Sequence, residues 1–466
     1  MGSGQQSGSS TSDDAGTATF ASTTTTESAT EDTVADDSAN ESSGPHTPVC
    51  GDGVVELGEQ CDGMPVAGVP CPDTCRFPAK TELWSTFVDV HGLDDDPFGV
   101  DVGRDDEIYV AGLTTSGETF SDPLLFRLSD AGAVEWVDAT VIAAGSGARA
   151  LHFDVSTSAD AVYVVGGVDP LDDANMQIRT ARHDLDGAPV WEAVYAGPIE
   201  AATYEGHALE TLADGSVLVV GVEMQDGLTP AVVLHYAPDG TLLEDERVWA
   251  PPWNARLRQS DVNTLDLALD PSGQDYVVSG TATTPTTEWD GWLQRRSLTH
   301  QTIWERLATG PVNGGDLDSY YAVTVDAHGN SIAVGVYKGA GTGQDIWVHK
   351  YDVTGALLWT VEYDEAGEDR AHGVVTDDDG NIYVHGNTEA ARLSGGGEDI
   401  DLWLRKYDAA GTEIWTDIWN GGGVDGAASY DYASRLCLDS HGFLVVTAKS
   451  VTANGHYDAL VRKIAP

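Results

Sequence analysis

Two rows of aspartates and a scatter of aromatic residues are what this sequence offers for chemistry. Asp94, Asp318, Asp369 and Asp431 are placed at one register, eleven residues ahead of the turn marked by Gly329, Gly380 and Gly442. A second row, Asp122, Asp290, Asp345, Asp401 and Asp458, opens another set of apolar runs. Carboxylates without nitrogen or sulfur neighbours are hard oxygen ligands, and a ring of them suits Ca²⁺. The alternative is that each Asp caps its own loop by accepting backbone N–H bonds. Tyr204, Trp253 with Arg256 and Arg258, Tyr320 with Tyr321, and Tyr430 with Tyr432 fall in the same loops. Aromatic rings beside carboxylates suit a peptide or glycan, although a Tyr at a strand start also serves to plug a channel mouth. Catalytic residues are not predicted: GxSxG, HExxH and a phosphate-loop lysine are all missing. An enzymatic reading would need paired carboxylates doing acid–base work, as in a glycan lyase or hydrolase.

These residues are positioned by a repeat. Trp84, Trp136, Trp191, Trp249, Trp304, Trp359 and Trp415 recur every 52 to 58 residues. Ahead of each from Trp136 onward come short runs rich in Val, Ile, Tyr and Trp, divided by Asp and Gly, such as NIYVHG (381–386) and WLRKYD (403–408). Such runs are strands joined by tight turns, and four of them at a fixed period make a propeller blade. After Trp415 three strands remain (434–439, 443–449, 459–465), while TELWSTFV (81–88) is a lone strand at the other end. Pairing the two ends covers an exposed edge and closes seven blades. The predicted fold is all-β, a seven-bladed propeller over 81–466. A basic residue recurs on the third strand of each blade: Arg127, Arg182, His235, Arg295, Lys350, Lys406 and Lys463. Its expected role is to neutralise nearby acids between packed blades. The Asp of each turn (Asp326, Asp377, Asp439, Asp352, Asp408) is expected to cap it. Cys437, on an inner strand, is expected as a buried free thiol.

The repeat, read through VTVDAHGNSIAVG and DIWVHKYDVTGALLW within 323–359, resembles the seven-bladed β-propeller repeat of exported bacterial proteins. Likeness extends over about 82–466, is strong in blades 5 and 6 and fades in blades 2 to 4. What the resemblance implies is the fold and an exported or surface location, not one activity.

Two further segments precede the repeat. Residues 1–48 hold eight acids, no Lys or Arg and almost no large apolar residue, so a disordered linker is expected. Such tails follow the lipid-bearing cysteine of bacterial lipoproteins, which points to a chain tethered through an anchor it does not itself carry. Residues 49–80 contain Cys50, Cys61, Cys71 and Cys75, too short a stretch for a hydrophobic core. Disulfides are the expected staples, in any of three pairings; zinc is the weaker alternative, since the spacing is not that of a finger. The segment resembles the CGDGxxExGExCD module of exported bacterial lipoproteins, although Asp62-Gly63-Met64 stands where the fuller pattern continues.

Net charge is −53, of which −42 belongs to the propeller. A surface so acidic repels phosphate, which excludes nucleic acid and anionic membranes as partners. It suits bound cations, basic partners, or a salty medium that screens the repulsion. The reading is therefore of a monomeric, exported propeller at the outer membrane, the cell surface or beyond, binding an extracellular protein, peptide or glycan, with Ca²⁺ as the candidate cofactor.

Overall fold

The computed structural model of the protein describes residues 49–466 except 53, 56–58, 117–120, 141–148, 170–174, 200, 226–229, 249–264, 283–288, 312–317, 340–342, 366, 391–398, 422–429 and 453. Its strands form seven four-stranded antiparallel sheets, each sheet a blade. The tail expected over 1–48 lies outside the described residues, as does Trp249.

Six blades are continuous in sequence, and the seventh is closed as expected. Its outer strand, Glu82–Val88, pairs antiparallel with the last strand, Tyr457–Ile464. Trp84 sits opposite Lys463, the same cross-strand pair as Trp136 with Arg127 and Trp359 with Lys350. Inner strands carry a run of Val, Ala and Leu that packs against the middle strands of the neighbouring blade, so the core is a set of inter-blade layers.

What the repeated Trp does becomes clear at these junctions. Trp84 Nε1 donates to Asp130 O of blade 1 (2.9 Å), Trp136 to Leu185 O (3.2 Å), and Trp191 to Pro238 O (2.9 Å). Trp304 and Trp359 donate likewise to Val353 O (3.0 Å) and Ala409 O (3.2 Å). Each indole lies on a turn glycine of the next blade, so close that a Cβ on Gly132 would fall 2.5 Å from the Trp84 ring. That glycine also has φ near +80°, which a side chain would resist.

Two junctions break the pattern. In blade 3 the Trp place is held by Glu244, opposite His235, and not by Trp249. There the next blade's turn carries His300 at φ +59° in place of glycine, and Glu244 pairs with it at 2.9 Å. A stack of ring on glycine is replaced by a polar contact between side chains. At the other break, Trp415 Nε1 has no acceptor, because no hairpin joins the third and fourth strands of blade 7, Tyr457–Ile464 and Glu82–Val88, which lie far apart in sequence.

The cysteine segment occupies that gap. Its pairs are Cys50–Cys75 and Cys61–Cys71, which settles the three pairings left open by sequence. Phe77 packs on Phe443 of blade 7 with centroids 5.8 Å apart, Lys80 N donates to Ala465 O (2.9 Å), and Lys80 Nζ reaches Thr416 O (3.3 Å). Two disulfides in so short a segment belong to chains that mature in an oxidising compartment.

The basic row does its local job, mostly within its own blade. Arg127 pairs with Glu107 (2.8 Å), Arg182 with Asp160 (3.0 Å), Lys350 with Asp326 (2.8 Å) and Lys463 with Asp439 (2.6 Å). Arg295 is clamped to Asp270 and also donates to Gly329 O of the next blade (2.7 Å). His235 meets Ser216 Oγ (3.0 Å), and Lys406 lies over the Tyr383 ring (4.8 Å). The turn aspartates cap their turns: Asp326 Oδ1 accepts from His328 N and Asn330 N (both 2.9 Å), and Asp439 Oδ1 from His441 N and Phe443 N.

Candidate functional site

Seven inner strands run beside the central axis, and a β-bulge at the same place in most of them sets what each shows to it. The register shifts at Phe98, Phe153, His207, Tyr321 and His372, one extra residue each. These bulged residues form a collar. Phe153 stacks on His207 (5.2 Å) and contacts Phe98 (5.5 Å), while Tyr321 stacks on His372 (5.5 Å). An extra residue turns its side chain out of the strand's alternation, which is why aromatic groups stand here among the apolar runs.

Below the collar the position four before each turn holds, blade by blade, Gly99, Asp154, Ala208, Asp266, Ala322, Gly373 and Arg435. Two residues further on stand Asp101, Ser156, Glu210, Ala268, Thr324, Val375 and Cys437. Most of these residues line a cavity of about 190 Å³. Arg435 is the one basic residue in its lining. It spans the axis, with Nη1 3.1 Å from Asp266 Oδ2 and 3.3 Å from both Tyr321 O and His372 O. Asp101 accepts from Thr157 N (2.7 Å), Asp154 from Leu209 N (3.1 Å) and Asp266 from Val323 N (2.8 Å), so these carboxyls also stitch one blade to the next.

Four carboxyls against one guanidinium cannot all ionise in a buried site. Burial pushes Asp154 up to about 7, with Arg435 pulling the other way. Glu210 rises well above the usual range through burial and the neighbouring Asp101, Asp154 and Asp266. Asp101 and Asp266 are raised by burial too, and the Cys437 thiol is pushed up. His207 falls to about 4 and His372 to about 3, again through burial, so both are neutral at pH 7. Cys437 is a free thiol, as expected, but half-buried on the channel wall instead of within the core.

The predicted residues separate into distinct places. Asp318, Asp369 and Asp431 stand at the starts of inner strands and are buried, each capping the loop that leads to it. Asp318 Oδ2 accepts from Gly310 N (2.5 Å), Asp369 Oδ2 from Glu365 N (2.8 Å) and Asp431 Oδ2 from Gly421 N (2.9 Å). In blade 1 this register belongs to Asp95, eleven residues before Asp106, whose φ of +60° replaces the turn glycine. Asp95 accepts from Val90 N (2.9 Å). Asp94 lies one residue earlier, half-exposed, near His456 (3.4 Å). These aspartates form no single ring; the second row, Asp122, Asp290, Asp345, Asp401 and Asp458, is buried beside them on the same face.

Of the aromatic set, Tyr204 and Tyr320 are core residues with no exposure. Tyr204 takes in blade 3 the register that Asp holds elsewhere, and the Tyr320 hydroxyl bonds Tyr351 (3.0 Å). Tyr321, one residue on, is the bulge and belongs to the collar. Tyr432 stands with Tyr457 (6.1 Å), with Lys449 over both rings, and Tyr430 bridges to Ile400. Trp253, Arg256 and Arg258 lie outside the described residues. The channel carboxyls and Arg435 were missed by sequence reasoning; counting back four and two residues from each turn would have found them.

This geometry defines a seven-bladed β-propeller with an acidic, aromatic-collared central channel. No protein family matches the chain, and no curated protein matches it. Solved structures match the chain at low identity. An inactive virginiamycin B lyase variant from Staphylococcus aureus is 11% identical, covering 82% of this chain and 99% of its own, with a TM-score of 0.42. A protein of unknown function from Dyadobacter fermentans is 11% identical over 84% and 100%, TM-score 0.45. The polysaccharide lyase Uly1 is 9% identical over 79% and 89%, TM-score 0.49.

Proposed function

We propose that this protein is an exported, surface-tethered binding module whose channel receives a positively charged segment of a protein or peptide partner. The observation that carries this is the imbalance in the channel: Asp101, Asp154, Glu210 and Asp266 face a single Arg435. A cavity of about 190 Å³ takes one ammonium or guanidinium group with part of its stem. The collar of Phe98, Phe153, His207, Tyr321 and His372 offers ring faces to that cation on its way in. Long-range attraction from a propeller of charge −42 would speed the encounter. The disulfide module and the acidic tail support a location outside the cytoplasm.

Because burial raises Asp154 to about 7, and raises Glu210 as well, an arriving cation displaces protons. Affinity therefore rises with pH as it passes about 7, the range in which Asp154 titrates. The test is calorimetry with Lys- and Arg-bearing peptides at pH 6 and pH 8. Tighter binding at pH 8, abolished in an Asp154→Asn, Glu210→Gln variant, is expected; binding that ignores both changes contradicts the proposal. A second reading, carboxylate-dependent turnover of a glycan, is favoured only by the raised Asp154, which could serve as a general acid. Product release from a glycan panel would decide for it.

A further inference from the structure

The two rows of aspartates meet at the seams between blades. At four consecutive seams an Asp near the start of a third strand is followed, in register, by an Asp at the start of the next blade's inner strand: Asp290 and Asp318, Asp345 and Asp369, Asp401 and Asp431, Asp458 and Asp95. A third position, five residues after the Trp place, completes the group. It is Thr309 and Asn420 at two seams, but Asp364 and Asp89 at the other two. At those two seams one oxygen from each of three carboxylates comes within 4.8 Å of the others: Asp345, Asp364 and Asp369 at one, Asp458, Asp89 and Asp95 at the other.

Clustered acids alone say little, and most have ordinary partners. Asp89 accepts from Gly92 N (2.6 Å), and Thr114 and Thr388 hydroxyls stand beside Asp95 and Asp369 and lower their pKa against the larger effect of burial. Each group nevertheless keeps two buried carboxylates, Asp345 with Asp369 and Asp458 with Asp95, all at most 5% exposed, whose Oδ1 accepts no hydrogen bond. A buried carboxylate oxygen with no donor, on a residue grouped with two more carboxylates, is costly unless something positive lies among them. By contrast, the group at Asp106, Asp439 and His441 is already filled: Lys463 pairs with Asp439 (2.6 Å) and Ser440 donates to Asp106 (2.8 Å).

We propose that the protein binds two divalent cations, calcium by ligand chemistry, one at Asp345, Asp364 and Asp369 between blades 5 and 6, the other at Asp458, Asp89 and Asp95 between blades 7 and 1. Oxygens up to 4.8 Å apart fit opposite sides of an ion bound at about 2.4 Å, the Ca²⁺ distance; Mg²⁺, at about 2.0–2.1 Å, needs a tighter set. The second seam is where the chain closes on itself, since Asp89 follows the outer strand of blade 7 and Asp95 begins blade 1. An ion there ties the two ends of the ring together. Each seam has a lysine nearby: Lys338 lies near Asp345, and at the closing seam Lys449 pairs with Asp96 (2.9 Å), next to Asp95.

The test uses the full chain, stripped with chelator, in about 0.15 M salt, where exposed charges are screened beyond about 8 Å. Calorimetry with CaCl₂ should give two sites, the weaker in the range of about 10⁻⁴–10⁻³ M found for extracellular modules. The melting temperature should rise with calcium and less with magnesium. Asp345→Asn and Asp458→Asn should each remove one site while leaving the other, and Asp364→Asn and Asp89→Asn, at exposed positions, should weaken the same sites without disturbing the fold. No heat and no rise in melting temperature at about 10 mM calcium, ten-fold above the weakest such modules, overturns the proposal. So does a stoichiometry that none of the four variants lowers.

Discussion

The two ends of each blade handle charge in opposite ways. At the tight-turn end, Arg127, Arg182, Arg295, Lys350 and Lys463 each lie against an acid. At the loop end and in the channel, carboxyls outnumber cations, and Oδ1 of both Asp345 and Asp458 has no hydrogen-bond donor. Both ends are built from the same repeat, so the difference is not one of composition. It teaches that the turn end is a finished electrostatic structure, while the loop end and channel carry unbalanced carboxyls, on which the proposed cations and cationic partner rest. Mutations should therefore have opposite signs at the two ends.

The largest effect is expected at the turn end. Lys463 is 1% exposed and sits between Asp439 and Asp130. Lys463→Met strands Asp439 without its cation and should cost on the order of 3–5 kcal/mol in denaturant unfolding. A double variant that also carries Asp439→Asn should recover much of that loss.

At the loop end removing a charge should help. Burial, with Asp364 and Asp369 beside it, raises Asp345 to about 6, so the ionised form destabilises the fold at pH 7 when no cation is bound. In chelator Asp345→Asn should gain about 1–2 kcal/mol at pH 7, less than the full shift implies because water screens part of it. A carboxyl raised in the folded state binds more protons there than when unfolded, so the wild type recovers as pH falls. The gain should shrink as pH drops through about 6 and vanish near 3.8. A gain that grows on acidification would break the comparison.

The smallest effect separates the seams. Trp304→Phe loses an indole hydrogen bond to Val353 O, while Trp415 has no such bond to lose. The first substitution should cost about 1 kcal/mol more than the second.

Much of this fold was legible because the repeat speaks through one residue type at a time. Trp spacing, glycine turns and the lone strand at 81–88 were enough to close seven blades, and the resemblance in blades 5 and 6 agreed. Where Trp249 seemed to continue the series, the repeat had changed chemistry instead, to Glu244 against His300. Spacing alone does not reveal such an exchange. The site was less legible because a β-bulge shifts the register by one residue, and one residue reverses which face a side chain takes. That shift sent Tyr320 into the core and Tyr321 into the collar. It was a turn without glycine, at Asp106, that hid Asp95 behind Asp94. The channel acids Asp154 and Glu210 lie in blades 2 and 3, where the repeat is most altered, so no row announced them.

The most direct measurement is a crystal structure from protein soaked in a lanthanide, whose anomalous signal reports where hard cations bind. Two peaks are predicted on the loop end, at Asp345, Asp364 and Asp369 and at Asp89, Asp95 and Asp458, with none at Asp106 and Asp439. Peaks at the turn end, or bare carboxylates at both seams, would contradict the division of charge proposed here.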